Sequence, residues 1–281
     1  MRYSDGTAFR TALEGRLRSE SLATGVALSR LRKTVAFDRL LARLQTGAPD
    51  VWVLKGGLAL QVRLHERART TKDIDLHTRE EVAAAVDLLV SCALINLSDY
   101  FGFSVARPPT LDQPVRCSVQ AQLGGRTFES FHVDLGCGEQ WVGALTRMPV
   151  TSLLEFADIP AVEFPCFPLG HHLAEKVHAL VRPRGGRDNS RVKDLVDLVL
   201  VAETSQVDPA ELRAALEATF ASDAMCEVPR RLPLPPRSWA AQYRLMARDL
   251  GLGAGTLDEG AAVAAALVDP VLWELEQAKG K

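Results

Sequence analysis

Val51-Trp52-Val53-Leu54-Lys55-Gly56-Gly57, then fifteen residues, then Asp73-Ile74-Asp75 is the stretch on which the reading of this chain turns. The apolar run predicts a short strand that ends in the two glycines. Alternation along a second extended segment puts Asp73 and Asp75 on one face. Their α-carbons are then roughly 7 Å apart, and two such carboxylates can converge on one divalent cation or on a pair about 4 Å apart. Paired glycines let backbone approach a phosphate with no Cβ in the way. Phosphate-cradling glycines followed by a cation-binding Asp-x-Asp is the layout that nucleotidyl transfer needs. Each half also has a plainer reading, Gly-Gly as a tight turn and Asp-x-Asp as a solvated strand edge.

A third carboxylate extends the pattern. In Phe131-His132-Val133-Asp134-Leu135-Gly136 the apolar positions face one way, and His132 and Asp134 face the other. Asp134 is therefore on the polar face of a core strand, as a solvated residue or as the third member of an Asp73, Asp75, Asp134 metal site.

Residues 170–201 read GHHLAEKVHALVRPRGGRDNSRVKDLVDLVLV from Gly170. Leu173, Val177 and Leu180 have helical spacing and mark a buried stripe. Lys176 lies beside that stripe, either snorkelling to the surface or serving as a point charge on a triphosphate. Arg182, Arg184, Arg187 and Arg191 follow around Gly185-Gly186, a composition suited to phosphate, although a solvated basic loop has the same one. Asn189 or Ser190 is positioned to cap the next helix, whose buried face is Val192, Leu195, Val196, Val199 and Leu200. Asp194 in its first turn suits the helix dipole. Asp197, in an apolar helix body, needs a cationic partner, with Lys176, Arg191 and Lys193 as candidates.

In this order LKGGLAL, TKDIDL, the HLAEK helix and RVKDLVDL resemble the AbiEii/AbiGii-type nucleotidyltransferase toxins of type IV toxin–antitoxin systems, with the MenT-type toxins nearest among them. The resemblance covers roughly residues 30–200. It implies an α/β (α+β) fold with a DNA polymerase β-like nucleotidyltransferase core, a mixed sheet and a mainly helical C-terminal half. It implies Asp73 and Asp75 as ligands of Mg²⁺, and Lys55, Gly56, Gly57 and Lys72 at the phosphates together with Arg184, Arg187 and Arg191. Lys176 matches the family's essential lysine, and Asp194 and Asp197 match its Lys-Asp-x-x-Asp helix. The activity implied is transfer of nucleotides from an NTP, a pyrimidine nucleotide favoured, to the 3′ end of tRNA, which blocks aminoacylation. The partners implied are tRNA and a cognate antitoxin, with Thr71 in the position of a hydroxyl that antitoxins of some members phosphorylate. Where the wider superfamily has Gly-Ser, this chain has Gly56-Gly57 and lacks one side-chain phosphate contact. A protein or small-molecule acceptor, and a non-catalytic module on a degenerate transferase fold, are the competing readings.

Global numbers set bounds. The 281 residues are 47% hydrophobic with a net charge of −2, which argues against a generic nucleic-acid coat. The charge is uneven, with nine Lys/Arg against four Asp/Glu in residues 1–45. Arg30, Arg32, Lys33 and Arg39 could therefore form an RNA-holding patch or an ordinary solvated helix face. No apolar stretch is long enough to span a membrane, and the first residues lack a signal-peptide core. Cysteines 92, 117, 137, 166 and 226 show neither close pairing nor zinc spacing, which points to a reducing cytoplasm. His171, His172 and His178 do not form a His-Glu-x-x-His helix. The expected organisation is N-terminal helices over 1–48, a transferase core over 49–158 and a helical lobe over 159–281, as a monomer. Helices are predicted over 8–19, 27–45, 79–95, 239–250 and 258–278, with Pro160, Pro165 and Pro168 in a connection and RRLPLPPRS (230–238) as a linker.

Overall fold

The computed structural model describes residues 2–112, 115–138, 141–151, 153–182 and 191–279. They form two compact units. The first comprises Met1–Arg63, Thr70–Gly138 and Thr146–Cys166, and the second Leu64–Arg69, Glu139–Leu145 and Phe167–Lys281.

The first unit is built on a mixed seven-stranded sheet. Its strands are β1 (Val53–Lys55), β2 (Ile74–Thr78), β3 (Phe101–Ala106), β4 (Val115–Leu123), β5 (Arg126–Cys137), β6 (Thr146–Pro149) and β7 (Glu163–Cys166), in the spatial order β3-β4-β5-β2-β1-β7-β6. β2 runs antiparallel to β1 and parallel to β5, while β3, β4 and β5 form an antiparallel meander. Alternation decides the faces. Val115, Cys117, Val119, Ala121 and Leu123 of β4 and Phe131, Val133 and Leu135 of β5 are buried, and the residues between them point to the opposite, more open face. The apolar face packs under α2 (Leu28–Gly47), where Phe37 meets Phe131 edge-on at 4.8 Å. Both α1 (Gly6–Thr24) and α4 (Val82–Ala93) pack on α2 as well. Asp5 caps α1 by accepting from the N–H groups of Thr7 and Ala8, and Gly25 closes it in the left-handed conformation.

The segment around the three prolines is not only a connection. Pro165 lies in β7, opposite Arg147 of β6, and Cys166 pairs with Leu54 of β1. A proline cannot donate to a ladder, so a strand this short and proline-bearing leaves no alternating signature. The N-terminal basic face also differs from expectation. Arg39 is buried, neither solvated nor open to RNA, and its neighbour Arg43 is buried with it. Arg43 forks onto Asp99 at 2.7 and 3.0 Å, and Arg39 pairs with Asp38 and lies 3.6 Å from Asp99. Arg32 pairs with Glu14.

The second unit contains α5 (Leu169–Val181), α6 (Val192–Thr204), α7 (Pro209–Ala221), α8 (Ala240–Leu250) and α9 (Leu257–Lys279). Leu173 and Val177 of α5, and all five predicted apolar positions of α6, are buried. α7 packs on α5 and was not anticipated, although Asp208 caps it and Pro209 opens it. The proposed caps Asn189 and Ser190 lie outside the described residues. No helix of the described residues is long and apolar enough to cross a membrane.

Candidate active site

The first unit carries a row of charge across four strands. Register pairs Lys55 with Asp75, Asp75 with Asp134, and Asp134 with Arg116. Directly paired residues share a face, so β1, β2, β5 and β4 present cation, carboxylate, carboxylate, cation in sequence. Asp73 stands just before β2 and joins the same face: its Oδ1 is 3.3 Å from Nδ1 of His132 and its Oδ2 is 3.8 Å from Arg116. The three aspartates picked out by alternation are thus gathered on one side of one sheet.

β1 runs straight into α3 (Gly56–Leu64), so the glycine pair is a strand-to-helix junction rather than a free turn. Gly56 has φ +63°, and a Cβ on it would lie 2.8 Å from Cβ of Asp75 while overlapping that residue's carboxylate. Glycine is therefore required twice here, by backbone conformation and by the approach of Asp75. The first turn of α3, whose N–H groups have no partner within the helix, thus begins beside Asp75. The Lys55 ammonium reaches towards β5, 3.6 Å from where a Cβ on Gly136 would be.

Arg116 was not singled out by its sequence. Its Nε and Nη2 donate to the two oxygens of Asp134 at 2.7 and 2.6 Å. These hydrogen bonds, and then the Asp134 charge, hold the guanidinium charged well above its ordinary range. Alternation in β4 marks Arg116 as exposed, but only the β4–β5 register reveals its partner.

Apart from Thr71 and Lys72, the remaining predicted site residues belong to the second unit. Lys176 is buried, with its ammonium 3.1 Å from Asp194 and 2.5 Å from Asp197. Asp197 has no exposed surface and is gripped on its other side by Arg69, at 2.9 and 3.0 Å. Burial pushes the Asp197 carboxyl up, but Lys176 and Arg69 together hold it below the usual carboxylate range. Burial pushes Lys176 down, and the two aspartates more than restore it. Arg191 lies 3.4 Å from Asp194, and Arg182 is committed to Asp223 at 3.1 Å. Arg184 and Arg187 fall outside the described residues. Arg69 escaped the sequence reading because a single arginine 128 positions from Asp197 carries no local signal. Thr71, almost buried, donates its hydroxyl to the Asp73 carbonyl at 3.1 Å.

The model of the nucleotidyl transferase AbiEii toxins of type IV toxin–antitoxin systems matches residues 39–269. The chain belongs to the AbiEii family. The matched region spans the glycine junction, all three aspartates, Arg116 and the Lys176 cluster. Among solved structures, the nucleotidyltransferase toxin MenT4 (Rv2826c) from Mycobacterium tuberculosis H37Rv superposes with a TM-score of 0.60 at 18% identity, over 93% of this chain and 98% of that one. JHP933 from Helicobacter pylori matches with a TM-score of 0.45 at 14% identity, over 88% of this chain and 97% of that one. An antigenic nucleotidyltransferase-like protein from Paracoccidioides brasiliensis matches at 0.45 and 16% identity, over 67% and 85%. No curated protein matches the chain by sequence. The expected fold is the one found, a nucleotidyltransferase fold with a mixed sheet. As an AbiEii toxin, the protein has nucleoside triphosphate as its donor class and an antitoxin as its partner.

An oxygen-only set of three carboxylates suits a hard divalent cation. Among the described residues no three His, Cys, Asp or Glu side chains already converge as a closed metal cage. Asp134 in particular has both oxygens engaged by Arg116.

Proposed function

We propose that this toxin transfers nucleotides from a nucleoside triphosphate, a pyrimidine nucleotide favoured, to the 3′ acceptor end of tRNA, and that the modified tRNA can no longer be aminoacylated. The observation that carries the reading is the Asp75 carboxylate packed on the Gly56 junction, in register with Asp134 and next to Asp73. On this reading the start of α3 takes the triphosphate, beside carboxylates that would hold the cation that neutralises charge at the α-phosphorus.

The N–H groups at the start of α3, with Lys55 and Lys72, bind and orient the triphosphate. Asp73 and Asp75, joined by Asp134 once Arg116 lets it go, would hold Mg²⁺, which when bound supplies charge neutralisation and favours ionisation of the attacking 3′-hydroxyl. Catalysis on this reading is positioning and electrostatic stabilisation, without a covalent enzyme intermediate. Lys176 takes the role of the family's essential lysine, with Asp194 and Asp197 fixing its position, and Arg184, Arg187 and Arg191 are the candidate phosphate contacts of the second unit. Thr71 is the regulatory residue: a phosphoryl group there would bring about −2 of charge within two residues of Asp73 and replace the hydrogen bond to its carbonyl. The protein acts as a cytoplasmic monomer.

The test incubates the protein with total bacterial tRNA, Mg²⁺ and each α-labelled triphosphate in turn, with Asp75→Ala alongside. Label on tRNA from one donor, absent with the variant, is the expected result. Label on protein alone, or an Asp75→Ala enzyme that is folded and fully active, would overturn the reading.

A further inference from the structure

The open face of β3, β4 and β5 forms a trough of about 670 Å³ that begins at Asp73 and Arg116. Its floor is laid in rows by the strand register: Ser118 pairs with His132, and Ser104, Gln120 and Ser130 form the next row. These side chains are short, polar and, apart from His132, exposed and uncharged. Lys33, donating to the Ser130 carbonyl at 3.0 Å, and Lys72 add positive charge at the margins. Asp73 is the one carboxylate in the lining, and no tyrosine or tryptophan is among the lining residues.

Strand order gives the trough a direction. The α3 terminus lies on the β1 side of Asp75, whereas β5, β4 and β3 extend from its other side. In phosphoryl transfer the entering and leaving oxygens lie roughly in line through phosphorus. A donor whose pyrophosphate is held at the α3 terminus must therefore be attacked from the β5–β4–β3 side. We propose that this trough is the acceptor channel, and that it takes the last nucleotides of an RNA strand with the 3′-hydroxyl directed at the carboxylates. Ser104, Ser118 and Gln120 hydrogen-bond ribose and phosphate oxygens, and Lys33 and Arg116 meet the backbone charge. Recognition is chiefly of the sugar–phosphate chain: Phe131 in the lining is buried, which leaves the half-buried His132 ring as the stacking surface among the described lining residues. The inference rests on the RNA-acceptor reading given above.

Gln120 tests it, because it is exposed and a substitution there leaves the core intact. Binding is followed by anisotropy of a 5′-fluorescein RNA oligonucleotide with a free 3′ end, and melting curves control for folding. Gln120→Glu is expected to weaken binding, and Gln120→Lys to tighten it, each by about threefold to tenfold at low salt. The RNA KM in the transfer assay should move in the same sense, with kcat kept at saturation. A wild type that binds and extends RNA while both variants match it would overturn the channel and leave RNA as the acceptor. A wild type that neither binds nor extends RNA would overturn the acceptor reading and the channel with it.

Discussion

The carboxylate of Asp75 lies directly over the α-carbon of Gly56. The residue that opens α3 and one that on the proposed reading would hold a cation are therefore fitted to each other. Gly56→Ala forces a β-carbon into the carboxylate and a side chain into positive φ. We expect a stability loss of about 1–3 kcal/mol in urea denaturation, and at least a hundredfold loss of transfer, because Asp75 must leave its place. A folded Gly56→Ala protein with wild-type activity would break the link between junction and catalysis.

Arg116 competes with a cation for Asp134. Replacing it by Gln removes a full charge from the carboxylates and frees both Asp134 oxygens. Mn²⁺ titration followed by electron paramagnetic resonance should show roughly threefold to tenfold tighter binding to Arg116→Gln than to wild type. Unchanged or weaker binding would mean that Asp134 is not a ligand.

The Lys176 cluster should behave as a buried ion network with unequal members. Asp197→Asn leaves Lys176 and Arg69 facing each other across an uncharged amide, at a cost of about 3–5 kcal/mol. Asp194→Asn, at a less buried position, should cost clearly less. Because the folded pKa of Asp197 is depressed, its contribution is complete above the unfolded value of 3.8 and is lost as pH falls through the folded value. The stability gap between wild type and Asp197→Asn should therefore narrow as denaturation is repeated from about pH 6 down to about pH 3. A gap that stays constant would remove the ion-pair explanation.

A second buried network is purely architectural. Arg43→Met removes the bidentate partner of Asp99 and leaves only Arg39, 3.6 Å away, to compensate. The expected loss is about 3 kcal/mol, at the low end for a broken buried pair because of that remaining cation. Urea denaturation reads it directly, and a change under about 1 kcal/mol would show that Arg39 takes over.

The aspartates, the glycine junction and the α6 stripe were legible because each is a local pattern of period 2 or 3.6. Asp73 and Asp75 needed only one strand, and Asp134 only its own alternation. What brings them to one face with Lys55 and Arg116 is strand register, which depends on pairing between residues as far apart as Asp75 and Asp134 and leaves no mark inside either segment. For the same reason Arg69 was missed while Lys176 was found: the lysine belongs to a periodic helix, the arginine to an irregular segment. Arg39 misled in the opposite sense. A basic helix face looks solvated until Asp38 and Asp99 are seen to neutralise it from within.

The chain passes between its two compact units five times, at residues 63/64, 69/70, 138/139, 145/146 and 166/167. Neither unit is a continuous stretch of gene. A single crossover in recombination cannot exchange one for a relative's version, since no cut leaves all of one unit on one side and all of the other on the other. Exchanging a whole unit would take a crossover at every one of the five passages.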